Sequence, residues 1–318
     1  MVMVRRFAFG WGVGSVAALC AAWCGSAQAE TAAEILSTFN LVTEGNATTG
    51  SDIEGSTVVG GDLSGATFFG NNTPANPLLV IYGNLTDSIN PTANKPQTVE
   101  LTHAGQESSI HCNGPCTFIS PPTSPLSDYP APLNALSTQL SKLSVTPGAG
   151  IVDNSGNAIF TVPTGTTGIA VIDITGTQLE ADLQNSNVEF SIPNTVTGLI
   201  VNVDGSFVNP GGVNFNGAQQ DALFNFYGST STAVTLGGPW GASILAPFAA
   251  VTINSNINGF VYADSFTSNS GEVHNYGYTG ALPSAVPEPA TWAMMLAGFA
   301  GLGFVGFRRS RKQPMAAF

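Results

Sequence analysis

Short β-branched runs recur through the middle of this chain, and each is bounded by glycine, asparagine, aspartate or proline. Such runs predict strands, because strands are short and rich in β-branched residues, and no long helical period spans the region. Examples are residues 57–59, 78–82, 169–172, 199–201 and 250–253. The central part of the chain is therefore predicted to be all-β.

A weak internal repeat refines the fold class. Residues 59–64 resemble residues 81–86, which lie 22 positions later, and residues 257–264 loosely resemble residues 53–62. A period of about 20 residues, with glycine and asparagine at the corners, fits one coil of a β-solenoid. Both residue types tolerate the left-handed conformations that sharp corners need. The sequence favours a β-solenoid, and a β-sandwich with similar turns is the alternative.

One packed amphipathic helix is expected within the β pattern. Four leucines recur at spacings of three and four within residues 131–143: Leu133, Leu136, Leu140 and Leu143. This spacing places them in one apolar stripe, which predicts a helix that packs along the sheet or covers one end of the solenoid. A second, short helix could form over residues 31–39, before the first strand.

The N-terminus has the layout of a secretory signal peptide over residues 1–29. Arg5 and Arg6 form the charged region, residues 7–23 form the apolar region, and Ala27 and Ala29 form a small-residue cleavage site. The pattern predicts export and cleavage before Glu30.

The C-terminus combines a proline-rich motif, an apolar run and a basic cluster. The motif consists of Val286, Pro287, Glu288 and Pro289, and the basic cluster of Arg308, Arg309, Arg311 and Lys312. Between them, residues 292–307 would form about 24 Å of helix. This is slightly shorter than the roughly 30 Å, or about 20 residues, of a helix that spans a bilayer. The basic cluster should stay cytoplasmic. The layout predicts a transmembrane sorting helix, and a permanent anchor is the alternative.

This tail resembles the PEP-CTERM sorting signal of Gram-negative envelope proteins. The resemblance implies export across the inner membrane, a transient anchor there and processing by an exosortase-type enzyme, with the cell surface or extracellular matrix as destination. The predicted organisation is a signal peptide (1–29), a β domain (30–283), a sorting signal (284–312) and a tail (313–318).

The β domain resembles the choice-of-anchor A family over about residues 37–278. Residues 39–41, 51–55 and 59–63 are similar to the opening of that domain, and residues 240–247, 257–259 and 271–275 to its closing half. The resemblance implies a bacterial surface protein, and it implies no established catalytic residues.

Charge excludes one class of partner. The whole chain carries a net charge of −12, and only Lys95 and Lys142 are basic between residues 30 and 286. Such a domain has no basic patch to neutralise phosphates, so nucleic-acid binding is excluded.

No catalytic residues are predicted. Asp52 with Glu54, and Glu180 with Asp182, are closely spaced acid pairs. On a strand each pair would share one face, and glycoside cleavage needs two facing carboxylates. Acids on strands and turns are more often simply solvated, so a carbohydrate-active enzyme is only the third alternative.

The only cysteines of the β domain are Cys112 and Cys116. In an exported protein this pair predicts a local disulfide, whereas a metal site with His111 would require reduced thiols. Calcium is the one ion that the acids suggest, with four candidate ligands: Asp52, Glu54, Asp62 and Asp264. No run matches a known calcium loop, and no other cofactor is predicted.

Together these features predict an exported, non-enzymatic surface or extracellular-matrix protein. Its expected role is structural or adhesive, within a biofilm or exopolysaccharide matrix, with exopolysaccharide or matrix proteins as partners. The alternative function is a carbohydrate- or ice-binding β-solenoid module.

Overall fold

The computed structural model describes residues 30–65, 67–70, 77–92, 95–209, 212–215, 217–228, 232–284 and 299–300. The predicted signal peptide, the sorting motif, the basic cluster and most of the predicted transmembrane run lie outside these residues. Within the described ranges, no helix has both the length and the apolarity that a membrane crossing requires.

The helices are α1 (Ala32–Thr38), α2 (Pro130–Leu140) and α3 (Gly176–Leu183). The strands of the N-terminal half are β1 (Phe39–Thr43), β2 (Ala47–Thr49), β3 (Ser56–Val59), β4 (Leu63–Ser64), β5 (Thr67–Phe69), β6 (Leu79–Ile81), β7 (Ile89–Pro91), β8 (Gln97–Leu101) and β9 (Cys116–Ile119). The strands of the C-terminal half are β10 (Gly150–Asp153), β11 (Asn157–Thr161), β12 (Gly168–Thr175), β13 (Asn187–Ser191), β14 (Val196–Asp204), β15 (Phe207–Asn209), β16 (Ala222–Phe226), β17 (Thr232–Leu236), β18 (Ser243–Ile253), β19 (Ile257–Asn258), β20 (Val261–Ser268) and β21 (Val273–His274). Short 3-10 turns occupy Gln106–Ser109 and Leu126–Asp128.

The largest sheet is parallel along its main path, in the order β12-β14-β16-β18-β20-β1-β3-β6-β8-β9. Successive strands of one face therefore run in the same direction, as stacked coils require. This pairing fits the predicted β-solenoid. It disagrees with the β-sandwich alternative, which is built from antiparallel sheets.

The order of the coils departs from the order of the sequence at one place. Strand β20, near the end of the described domain, pairs with β18 on one side and with β1 on the other. The N-terminal and C-terminal halves are thus joined edge to edge, with Val42 paired with Tyr262. No local feature of the sequence predicted this joint.

The internal repeat is confirmed as a stack of neighbouring coils. Val59 pairs with Ile81, and Leu63 pairs with Leu85. Between these pairs the chain turns a corner, where Gly83 N–H donates to the carbonyl of Gly61 at 3.0 Å. A Cβ on Gly83 would lie only 2.3 Å from a Gly61 backbone atom, so the close approach of the two coils requires glycine.

Helix α2 confirms the predicted amphipathic helix, although it ends at Leu140 and leaves Leu143 beyond its end. Leu133, Leu136 and Leu140 are buried, and they pack with outward-facing apolar residues of the large sheet such as Val171, Ile200 and Leu223. Helix α1 confirms the short helix expected over residues 31–39. It begins with a capping box, in which Thr31 Oγ1 accepts from Glu34 N–H and the Glu34 carboxylate accepts from Thr31 N–H.

Helix α3 corrects the expectation of one packed helix within the β pattern. It follows the β-branched run of β12 and begins where Thr175 Oγ1 accepts from Gln178 N–H at 3.2 Å. Glu180 and Asp182 therefore lie on a helix, where residues two apart do not share a face. The interpretation of this pair as neighbours on one face of a strand was wrong.

Candidate functional site

A second face of the coils is built from β15, β17, the end of β18, the end of β20, β2 and β4, all in parallel register. At one register position, the residue of each strand points inward and stacks on its neighbours in the core. This inward column consists of Phe207, Val234, Val251, Phe266, Ala47, Leu63 and, by a bridge to Leu63, Leu85. All of these side chains are buried.

The next residue on each strand points outward, because side chains alternate along a strand. The outward column consists of Val208, Thr235, Thr252, Thr267, Thr48, Ser64 and Thr86. We call the surface formed by this column and its outward neighbours the threonine face. Because neighbouring strands lie about 4.8 Å apart, the face repeats a hydroxyl group and, at threonine, a methyl group at that spacing.

The threonine face is open to solvent. Thr48 and Thr86 are exposed, and Thr235, Thr252 and Thr267 are half-buried by their neighbours. Thr48 Oγ1 and Ser64 Oγ lie 2.8 Å apart, so adjacent strands share a hydrogen bond along the column. Thr86 Oγ1 also donates across to the Leu63 carbonyl at 3.3 Å. In-register pairing therefore aligns the whole column, and hydrogen bonds between strands fix its hydroxyls in the N-terminal coils.

A second column flanks the first on the side toward the glycine corner. In the C-terminal coils it carries Ala233, Ala250 and Ser265, which pair in register. In the N-terminal coils a hydrogen-bonded ladder takes its place. Asp62 N–H donates to Asn46 Oδ1 at 2.9 Å, and Asn84 N–H donates to Asp62 Oδ1 at 2.7 Å. This flank is therefore small and apolar at one end and polar at the other.

The ladder accounts for the charge state of Asp62. The backbone N–H of Asn84, and then its side-chain amide, hold the pKa of Asp62 below its usual value because both donate to the charged carboxylate. Asp62 is thus paired with the neighbouring coil. The four proposed calcium ligands are not brought together: Asp62 and Asp264 lie near the corner of the threonine face, whereas Glu54 lies next to β21 on another face.

The remaining predicted site residues are dispersed. Cys112 and Cys116 are joined by a disulfide that links the loop before β9 to the first residue of that strand. Glu180 accepts from Val208 N–H at 2.5 Å, and Asp182 accepts from Gln178 Nε2 at 2.7 Å, so each carboxylate has a local structural partner. The residues of the cleavage site, the sorting motif and the basic cluster lie outside the described part of the chain.

The residues that form the threonine face were not predicted, although the sequence holds a signal for some of them. Residues 45–48, 61–64 and 83–86 share one pattern: glycine, then asparagine or aspartate, then alanine or leucine, then threonine or serine. The glycine forms the corner, the third residue points into the core, and the fourth supplies the hydroxyl. Extending the 59–64 and 81–86 repeat backwards by one coil would have found it.

Comparison with known proteins agrees with an adhesive domain. Residues 285–312 match the PEP-CTERM protein-sorting motif. No curated protein matches the chain. The crystal structure of an ice-binding protein from the Antarctic ascomycete Antarctomyces psychrotrophicus is similar at 12% identity and a TM-score of 0.30, covering 77% of this chain and 97% of that one. Residues 32–275 match the family described as "Putative Ice-binding-like adhesive domain". The chain therefore belongs to this ice-binding-like adhesive domain family and carries a PEP-CTERM sorting signal.

Proposed function

We propose that the β domain is the adhesive part of an exported, non-enzymatic surface protein and that the threonine face is its binding surface. Family membership and the sorting motif support export and an adhesive role. The observation that carries the choice of surface is the column of threonine and serine across the strands from β17 to β4. Such a column presents the same chemical group at each strand, which suits a partner that is itself repetitive.

The partner that best fits this face is a neutral, hydroxyl-rich polysaccharide of the extracellular matrix. Threonine and serine hydroxyls both donate and accept hydrogen bonds, as sugar hydroxyls do. The chain is acidic, with a net charge of −12, so a neutral polymer would avoid the repulsion that an anionic one meets. This proposal gives the domain a structural or adhesive role in a biofilm or exopolysaccharide matrix.

Ice is the second candidate, and one observation favours it. Beside the hydroxyl column lie the methyl groups of Ala233 and Ala250, and Val208 extends the hydroxyl column itself with a side chain that is 47% exposed. Methyl groups and hydroxyls at fixed spacings impose order on the adjacent water. Such an ordered water layer could join the protein to an ice surface. The family description supports this candidate as well.

The position of the last residues of the described domain supports a threonine face that points away from the sorting signal. Tyr278 N–H donates to the Leu36 carbonyl of α1, and Gln139 Nε2 of α2 donates to the Ser284 carbonyl at 3.1 Å. The chain thus leaves the domain beside the helices that cover the large sheet, directly before the sorting signal. The threonine face is a different face and is left open.

The finer assignments rest on the tail and on sequence resemblance. Processing by an exosortase-type enzyme, a transient stay in the inner membrane and release to the surface or matrix follow from the sorting motif. The resemblance to choice-of-anchor A domains, the signal peptide at residues 1–29 and the domain boundaries stay predictions.

The test compares a blocked threonine face with a matched control. Thr252→Tyr adds bulk within the column, between Thr235 and Thr267, and Thr138→Tyr adds the same bulk at an exposed position of α2. The two readouts are retention on exopolysaccharide from the producing cells and partition of the protein into growing ice. We expect Thr252→Tyr to lose at least tenfold in one readout and Thr138→Tyr to lose nothing.

The readouts separate the two candidates. Loss of polysaccharide retention alone supports matrix adhesion, and loss of ice partition alone supports ice binding. If the Thr252→Tyr protein folds and behaves like the unmodified protein in both assays, the threonine face is not the binding surface.

A further inference from the structure

A group of metal-ligating side chains lies on a third face, where β21 stacks against the N-terminal half. Glu54, Glu272 and His274 place one ligand atom each within 4.8 Å of one another, and all three residues are half-buried. His274 Nε2 lies 3.1 Å from Glu272 Oε2. We infer that this group binds one divalent transition-metal ion, with zinc as the representative.

The neighbours of His274 orient its imidazole for this role. The side-chain amide nitrogen of Asn258 donates to the Gly217 carbonyl at 2.9 Å, so its oxygen is presented to His274. That oxygen lies 2.6 Å from His274 Nδ1, which must therefore hold a proton. The other ring nitrogen, Nε2, faces the Glu272 carboxylate and lies 3.5 Å from the side-chain nitrogen of Asn256. A divalent cation placed between Nε2 and this carboxylate would be bound by both groups.

The arrangement has the second layer of support that metal sites require. A ligating histidine normally donates its other ring N–H to a protein oxygen, as His274 does to Asn258. Glu54 is positioned by the backbone N–H of Asn275, which donates to its Oε2 at 3.0 Å. The backbone N–H of Glu272 donates to Asn256 Oδ1 at 2.9 Å. The side chains of His274 and Glu54 are thus each held by a hydrogen bond, and Glu272 is held at its backbone.

The ligand types distinguish a transition metal from calcium. Zinc is bound by histidine nitrogen and by carboxylate oxygen, and three protein ligands leave one position for water. Calcium takes six to eight oxygen ligands and does not favour imidazole. The group therefore fits zinc better than the calcium that the sequence suggested for Glu54.

An ion at this position would link two distant parts of the chain. Glu54 belongs to the N-terminal half, whereas Glu272 directly precedes the last described strand, β21, and His274 is its final residue. Ile53 pairs with Val273, so the two segments already stack in parallel. An ion between them would fasten the C-terminal segment, which leads to the sorting signal, to the joint between the halves.

The test is titration of the metal-free, processed protein with zinc chloride, followed by calorimetry and by thermal unfolding. We expect one zinc ion per chain and a higher melting temperature with zinc than with a chelator. His274→Gln and Glu272→Gln should each weaken binding at least tenfold. Asn258→Ala should weaken it about 10- to 100-fold, because it removes the group that orients the imidazole.

Controls on other faces make the outcome decisive. His103→Gln and Asp264→Asn change an exposed histidine and an exposed carboxylate, and they should bind zinc like the unmodified protein. Circular dichroism of each variant without metal identifies any that does not fold. The inference is overturned if the unmodified protein binds no zinc, if calcium binds equally well, or if folded His274→Gln and Glu272→Gln both keep full affinity.

Discussion

Replacement of Asn225 by alanine should destabilise the domain strongly, because this side chain ties α2 to the large sheet. Asn225 is fully buried on β16. Its Nδ2 donates to the Ser137 carbonyl at 3.1 Å and to Asn202 Oδ1 at 2.9 Å, and its Oδ1 accepts from Ser137 Oγ at 2.6 Å. Alanine removes all three hydrogen bonds and leaves the Ser137 hydroxyl and the Asn202 oxygen without them.

The magnitude follows from these contacts. A hydrogen bond contributes about 1 kcal/mol net, and a buried group left without a partner costs about 1–3 kcal/mol. We therefore expect Asn225→Ala to lower the free energy of unfolding by about 3–5 kcal/mol. With a urea m-value of about 3 kcal/mol/M, the unfolding midpoint should fall by about 1–1.7 M.

A matched control shows whether the loss of stability comes from burial or from breaking a row of hydrogen-bonded asparagines. Asn187 stands in a similar ladder between Asn157 and Asn214, but on the exposed surface. Water can replace the hydrogen bonds there, so Asn187→Ala should cost less than about 1 kcal/mol. Urea unfolding of the processed protein, followed by circular dichroism, measures both variants. Equal losses, or a loss below about 1 kcal/mol for Asn225→Ala, would refute the reasoning.

Two further predictions concern alkaline stability and sorting. Burial, reinforced by the nearby carboxylates of Glu30 and Glu100, raises the pKa of Tyr129 to about 12. Because the folded pKa lies above the ordinary value near 10, this contribution to stability is complete below pH 10 and lost as the pH rises toward 12. Thermal unfolding between pH 9 and 12 should show a shallower decline for Tyr129→Phe, and identical slopes would contradict this. For sorting, mass analysis of the released protein should find a C-terminus that lacks residues 308–318, and finding them still attached would contradict processing.

Several features could be predicted because their signals are local. The leucine spacing of residues 133–140 specifies an amphipathic helix wherever it packs. The glycine corners and the 22-residue repeat identify neighbouring coils, because each coil must turn at the same place as the one before it. Helix α3 was missed because a β-branched run leads directly into it, and its Thr175 cap is a single residue in a region that otherwise favours strands.

The full extent of the threonine face and the group of Glu54, Glu272 and His274 could not be predicted in the same way, because residues far apart in the chain form them. Thr48 lies beside Thr267 only because β2 pairs with β20. Glu54 meets Glu272 and His274 only because the last described strand stacks against the N-terminal half.

The sequence by itself therefore determined the β class, the repeating coil, the helix and the sorting tail. The tertiary structure alone decided which coils are neighbours, and thus where hydroxyls align and where metal-ligating groups converge. The physical reason is the parallel hydrogen-bond register between strands. The backbone hydrogen bonds of one strand can be satisfied equally well by any neighbouring strand of suitable shape. The packing of the whole core therefore determines which two strands pair.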